Sequence, residues 1–312
     1  MVDCVICKEQ FTEDRSLHAH LKAHKLRMVE YYQIHFPRHD RQDGLIIKFK
    51  SKEQYFETDF NSAVNLKKWL ESRPLEEAKE YCKALLVKRK ERKDLIYTPT
   101  QVELRSLKLP GINYYNKIFG SYYKLCESLG FKNKFSNISN RFIYGQIFKD
   151  SDHRILIDTR EQEPLRFKRP IEVATLSFGD YSFSDAKATC NCNIERKSLS
   201  DFIGTLTGGF ERFEREIIRA KDAGAYLVIL IEDILANAIK FNTLPNVYRK
   251  GTKVTPDFVF RRVRDLIQKY DHIQFLFVDG RDEASDIVEK IFTCGCAYKK
   301  SDLQYMYDNK LL

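Results

Sequence analysis

The sequence predicts an α/β protein: a mixed sheet flanked by helices in the second half of the chain, preceded by an N-terminal ββα module and a small helical domain. Three observations carry this. From residue 154, short apolar runs alternate with amphipathic stretches, as strands and helices do when they follow one another. Residues 4–24, CVICKEQFTEDRSLHAHLKAH, space two cysteines and two histidines as C-x2-C-x12-H-x3-H. Residues 97–131 break into three short helical segments at Pro99, Pro110-Gly111 and Gly130. The implied divisions are 1–27, 28–94 as a connecting region ending in a basic helix, 95–135 as the helical domain, 136–152 as a polar linker, 153–300 as the α/β domain and 301–312 as a C-terminal tail.

In the first segment Cys4 and Cys7 stand on a hairpin, while His20 and His24 lie one helical turn apart. Two thiolates and two imidazoles so placed can close a tetrahedron around Zn2+. Phe11 and Leu17 fall where such a module needs its two core residues, and His18 lies off the ligand register. The segment resembles the two-cysteine, two-histidine zinc fingers. Its base-reading positions would be Glu13, Ser16 and Ala19, none of them a guanine-reading Arg or Lys, so backbone or protein contact is the expected role.

Charge is distributed unevenly. Residues 1–150 hold 28 Lys and Arg against 19 Asp and Glu, whereas residues 151–312 hold 25 of each. A basic half joined to a neutral half points to a polyanion-binding part tethered to a part with another task. The helical stretch 75–93 ends in Lys88, Arg89, Lys90, Arg92 and Lys93, candidates for phosphate contact. Before it, LIIKFK (45–50) and QYFET (54–58) read as strands and SAVNLKKWLES as a short helix. The longest apolar run, AYLVILI at 225–231, is far shorter than the ~20 residues a membrane span requires. No signal peptide is expected ahead of Cys4. Eight cysteines without one argue for reduced or metal-bound thiols, not disulfides. Cys190/Cys192 and Cys294/Cys296 could form a second metal site only if their segments meet; the alternative is buried free thiols.

In the α/β half, RILIDTRE, VATLSFGDYSF, NIERK, AYLVILIED and HIQFLFVD read as five strands, with CNC before NIERK in a loop. FERFEREIIRAKDAG, TPDFVFRRVRDLIQKY and DEASDIVEKIF read as helices, the second opened by Thr255 and Pro256. Side chains alternate along a strand, so Glu195 and Lys197 share a face and Arg196 points away. Asp180, at the turn of a neighbouring strand, can meet Glu195 there. Two carboxylates suit Mg2+ or Mn2+. A lysine beside them can orient water and offset phosphate charge, the chemistry of phosphodiester hydrolysis.

Asp158-Thr159-Arg160-Glu161, Gly179-Asp180, Glu195-Arg196-Lys197 and Asp201, together with SLSDFIGTL and VILIED, resemble the nuclease domain of XPF-type structure-specific endonucleases over about 154–297. That resemblance implies the restriction-endonuclease-like PD-(D/E)XK fold and a metal-dependent DNA endonuclease. Asp180 and Glu195 would be the metal ligands, with Asp158 and Glu161 supporting them and Lys197 as the catalytic lysine. Arg160 and Arg196 would contact the scissile strand or hold the carboxylates, and Asp201 would brace the following helix. Pairing through this domain would make a homodimer. Tyr97, Pro99, Phe119-Gly120-Ser121-Tyr122 and Gly130-Phe131 resemble the homing-endonuclease-associated repeat, a helical DNA-binding module. The combination looks like a phage or mobile-element architecture, which places the protein in the cytoplasm, or in the nucleus of a eukaryotic source. The alternative is a non-catalytic DNA-binding protein that uses the nuclease fold as a scaffold.

Overall fold

The computed structural model describes residues 2–39, 46–47, 63–136, 152–244 and 254–312. It divides into two compact units, Met1–Trp69 and Leu70–Leu312. In the first, β1 (Val2–Asp3) and β2 (Gln10–Phe11) pair antiparallel and lead into α1 (Asp14–His20) and a 3-10 turn, Leu21–His24. Cys4, Leu17 and Leu21 form its core together with Tyr31 of α2 (Met28–His35). The Val5 amide donates to the Tyr31 hydroxyl at 2.8 Å, so this module runs past the boundary expected at residue 27. His18, off the ligand register, is half-buried against the Tyr32 hydroxyl at 3.1 Å. β3 (Arg38–His39) and β4 (Ile46–Ile47) pair antiparallel. The strand expected at 54–58 and most of the linker 136–152 lie outside the described residues. The helix expected before Pro74 is α3 (Ala63–Glu71).

The second unit opens with α4 (Leu75–Lys93), followed by α5 (Gln101–Ser106), α6 (Ile112–Phe119) and α7 (Tyr122–Ser128). The three short helices expected in this stretch are therefore present. Thr100 starts α5 in a reciprocal cap with Glu103, and the Tyr122 hydroxyl donates to Pro99 O at 2.8 Å.

The α/β domain is a six-stranded mixed sheet in the order β10-β9-β8-β7-β5-β6. Its strands are β5 (Ile155–Asp158), β6 (Ile171–Ala174), β7 (Tyr181–Phe183), β8 (Cys192–Lys197), β9 (Tyr226–Ile231) and β10 (Ile273–Phe277). β7 runs antiparallel to both β5 and β8, while β8, β9 and β10 are parallel. Fully apolar β9 is an interior strand, one in from the β10 edge, with its two faces covered by the two core layers.

Strand alternation sorts the core. Leu227, Ile229 and Ile231 face α8 (Leu199–Thr205), α9 (Phe210–Asp222) and α11 (Pro256–Lys269). Tyr226, Val228 and Leu230 face α12 (Gly280–Thr293) and α13 (Leu303–Asp308). A short α10 (Leu235–Ala238) follows β9.

Four expectations are corrected. VATLSFGDYSF is not one strand: its start belongs to edge strand β6, parallel to β5, and its end is β7, with residues 175–180 connecting them. Cys192 lies in β8 instead of a loop. Residues 301–312 are not a tail, because α13 packs on β10 and the Gln304 side-chain amide bonds both Phe277 N and Phe277 O at 2.8 and 3.3 Å. Lastly, the Cys190 and Cys296 segments do meet, and the two sulfurs form a disulfide. Cys192 and Cys294 remain buried free thiols.

The helical module docks directly on this domain. Gln101 N donates to Asp302 Oδ2 at 2.7 Å, and Gln268 Nε2 donates to both carboxylate oxygens of Glu103 at 3.1 Å. Glu103 is wholly buried, and burial raises its carboxyl above the usual range.

Candidate active site

The site forms at the C-terminal end of β8. Parallel register with β9 sets Glu195 beside Ile229 and Lys197 beside Ile231, on the face covered by α8, α9 and α11. Lys197 Nζ donates to Glu195 Oε1 at 2.7 Å, both side chains being largely buried. Asp180 arrives from the connection before β7. Its amide donates to Ile194 O at 2.8 Å, and its Oδ2 accepts from Arg196 N at 2.7 Å. Gly179 makes this approach possible: φ is +67°, and a Cβ there would stand 2.7 Å from Ile194 O. Asp180 and Glu195 thus meet across adjacent antiparallel strands.

These three residues line a cleft of about 390 Å³ together with Arg160, Arg212, Glu216 and Arg219. Arg212, Glu216 and Arg219 come from α9 at i, i+4 and i+7, one helical face. They went unassigned in the sequence, although that spacing within FERFEREIIRA was the available signal. Burial, then the charge of Glu195, raises Asp180 to about 7. Burial, then Glu195, also raises Glu216. Carboxyls crowded in this way, all oxygen donors, suit a hard divalent cation that would relieve their repulsion.

The other residues expected at or beside the site do not line the cleft. The Asp158 side chain is 1% exposed and accepts from Arg160 Nε at 2.6 Å, Arg160 N at 2.9 Å and Leu176 N at 2.7 Å. The Arg160 hydrogen bond holds its carboxyl below the usual range, with burial opposing. Glu161 is also absent from the lining: Arg196 takes it in a two-point pair at 2.9 and 3.1 Å. Arg196 also donates to Glu232 at 3.0 Å, and Arg281 approaches Glu232 at 3.5 Å. Because Arg196 is 13% exposed on the opposite face, it holds carboxylates and has little surface left for a DNA strand. Asp201 accepts from the Ser198 hydroxyl at 2.7 Å, while its amide donates back to that hydroxyl, bracing the start of α8.

The basic end of α4 divides. Lys88, Arg92 and Lys93 are exposed. Arg89 is half-buried, whereas Lys90 donates to Leu129 O and Gly130 O at 2.9 and 2.8 Å, closing the end of α7. In the first unit Cys4, Cys7, His20 and His24 converge, with ligand atoms within 4.8 Å of one another. Cys7 Sγ lies 3.2 Å from His20 Nε2, and Cys4 Sγ lies 3.5 Å from His24 Nε2. This soft and borderline donor set fits Zn2+.

Residues 157–291 match the family model of the ERCC4 domain, a stretch that includes every residue lining the cleft just described. Among solved structures it is similar to XPF from Aeropyrum pernix, both in complex with DNA and alone. Identity is 19% and the TM-score 0.34 in each case, over 44% of this chain. The match covers 62% and 59% of those chains, less than two thirds of either. No curated protein matches the chain.

Proposed function

We propose that the protein is a metal-dependent DNA endonuclease that hydrolyses phosphodiester bonds at the Asp180–Glu195–Lys197 cleft. The observation that carries this reading is the convergence, inside an ERCC4 domain, of two carboxylates and a lysine within a cleft bordered by three arginines. Asp180 and Glu195 would hold Mg2+ or Mn2+, which would supply an activated water and offset charge on the phosphate. Lys197, anchored by Glu195, orients the attacking water and stabilises charge on the non-bridging oxygens. Arg160, Arg212 and Arg219 grip the scissile phosphate and its neighbours, a role for which planar guanidinium groups are suited. Asp158 and Glu161 act from behind: Asp158 orders the β6–β7 connection through Leu176, and Glu161 secures Arg196, whose amide holds Asp180.

The exposed Lys88, Arg92 and Lys93, the helical module and a zinc-loaded N-terminal finger bring the DNA to the cleft, in a structure-selective or homing-type manner. One centre cuts one strand, so a homodimer or two successive nicks would sever a duplex.

Cleavage assays with Mg2+ or Mn2+ on linear, nicked, flap and four-way DNA test this reading, with Asp180→Ala as control. Metal-dependent cutting that disappears in Asp180→Ala is expected. Tight DNA binding without cutting of any substrate would instead favour the non-catalytic binding protein.

A further inference from the structure

Arg262, on α11, has no part in the chemistry above, yet it is tied to the wall of the cleft. Its Nη1 donates to Leu206 O at 2.8 Å and to Thr207 O at 3.0 Å. Its guanidinium lies 4.3 Å from the ring centre of Phe210 and 4.7 Å from that of Phe258. The two carbonyls lie just past α8, at its C-cap Leu206 and at the next residue, where the chain leaving a helix offers unpaired carbonyls and a cation is favoured. The turn that follows is short: Gly209 N donates back to Gly204 O at 3.1 Å, and Gly209 is the N-cap of α9. Thr205 and Gly209 line the cleft, as does Arg212 from the first turn of α9. A shift of this turn therefore moves Arg212.

Given the nuclease reading, we infer that Arg262 is a positioning residue of the active site: it pins the Leu206–Gly209 turn and thereby sets where Arg212 presents its guanidinium to the scissile phosphate. One nitrogen reaches both carbonyls, a donation that a lysine can keep, and the flat guanidinium adds packing on two rings.

The test is a double-mutant cycle on the full chain, with cleavage measured for wild type, Arg262→Ala, Arg262→Lys, Arg212→Ala and the Arg212→Ala/Arg262→Ala pair. Arg262→Ala should lower kcat about tenfold with KM changed less than about threefold, and Arg262→Lys should restore a large part of the loss. The pair should be no slower than Arg212→Ala by more than about twofold, because Arg262 acts through Arg212. Multiplicative losses in the pair, or a lysine variant as slow as the alanine one, would overturn the inference. If Arg262→Ala fails to fold, Phe258→Leu, which removes one ring and keeps both hydrogen bonds, takes its place in the cycle. If the wild type cuts nothing, the nuclease reading fails by itself, and the same cycle is read as affinity for a labelled duplex. Weakening by Arg262→Ala that vanishes in the Arg212→Ala background then supports the coupling, and equal weakening in both backgrounds refutes it.

Discussion

A carboxyl group buried beside another carboxyl resists ionisation, and Asp180 is so placed. Burial, then Glu195, holds it at about 7 despite the Arg196 amide at 2.7 Å. Its folded pKa thus lies above its unfolded one, so the stability it contributes is present at low pH and lost as pH rises through about 7. A bound divalent cation favours the ionised form and reverses that loss. Without metal, the melting temperature should fall between about pH 6 and pH 8 by more in the wild type than in Asp180→Asn, and added Mg2+ should stabilise the wild type more at the higher pH. Scanning fluorimetry at both pH values reads this directly. An Mg2+ effect equal at the two pH values, or unchanged in Asp180→Asn, would remove Asp180 from the metal site.

At the scale of elements, helical position decides what a charge can do. The basic end of α4 reads in sequence as one patch, but Lys90 turns inward to two carbonyls at the end of α7 while Arg92 and Lys93 face solvent. Replacing Arg92 and Lys93 by alanine should leave the melting temperature unchanged. It should also lessen the log–log salt slope of DNA binding by about 0.9 for each phosphate no longer neutralised. Lys90→Ala should do the reverse, costing about 1 kcal/mol of stability in urea titrations with the salt slope retained. An unchanged slope after the double replacement would place the DNA elsewhere. The connection into β8 supplies a second case. The Cys190–Cys296 disulfide closes a sequence separation of 106, and the Tyr298 hydroxyl donates to Thr189 O at 2.8 Å beside it. Cys296→Ser should lower stability by about 2–4 kcal/mol under non-reducing conditions. Under a strong reductant the wild type should fall to the level of the variant; persistence of the difference there would assign the loss to packing instead.

At the scale of the whole molecule, two units carry different stabilising devices. Among the described residues of the first unit, Cys4, Leu17, Leu21 and Tyr31 form a small core, of a size that commonly relies on a metal. Metal analysis of the purified chain should find about one zinc per chain, lost in His24→Ala. The main cooperative melting transition, which belongs to residues 70–312, should stay in place in that variant. Absence of zinc from the wild type would leave the four-ligand cluster without its expected role. Residues 70–312 rely instead on two apolar layers about one sheet and on the polar docking of the helical module. The buried Glu103, Gln101 and Asp302, with the half-buried Gln268, supply that docking.

Local order was legible in the sequence wherever periodicity or spacing carries it. The four-ligand spacing, the three short helices, Thr255 as a cap, the apolar strand 226–231 and the shared face of Glu195 and Lys197 all follow from residues a few positions apart. The division of VATLSFGDYSF into two strands did not, because only pairing with β5 shows that its ends run in opposite directions. Nor did the pairing of Cys190 with Cys296, the burial of Glu103 against Gln268, the capture of Glu161 by Arg196 or the entry of Arg212, Glu216 and Arg219 into the cleft. By itself the sequence determined the elements and the residue types able to do the chemistry, because short-range sterics and alternation act within one segment. Only the tertiary structure decided which charges face the cleft and which are consumed holding it, because that choice depends on partners distant along the chain and adjacent in space.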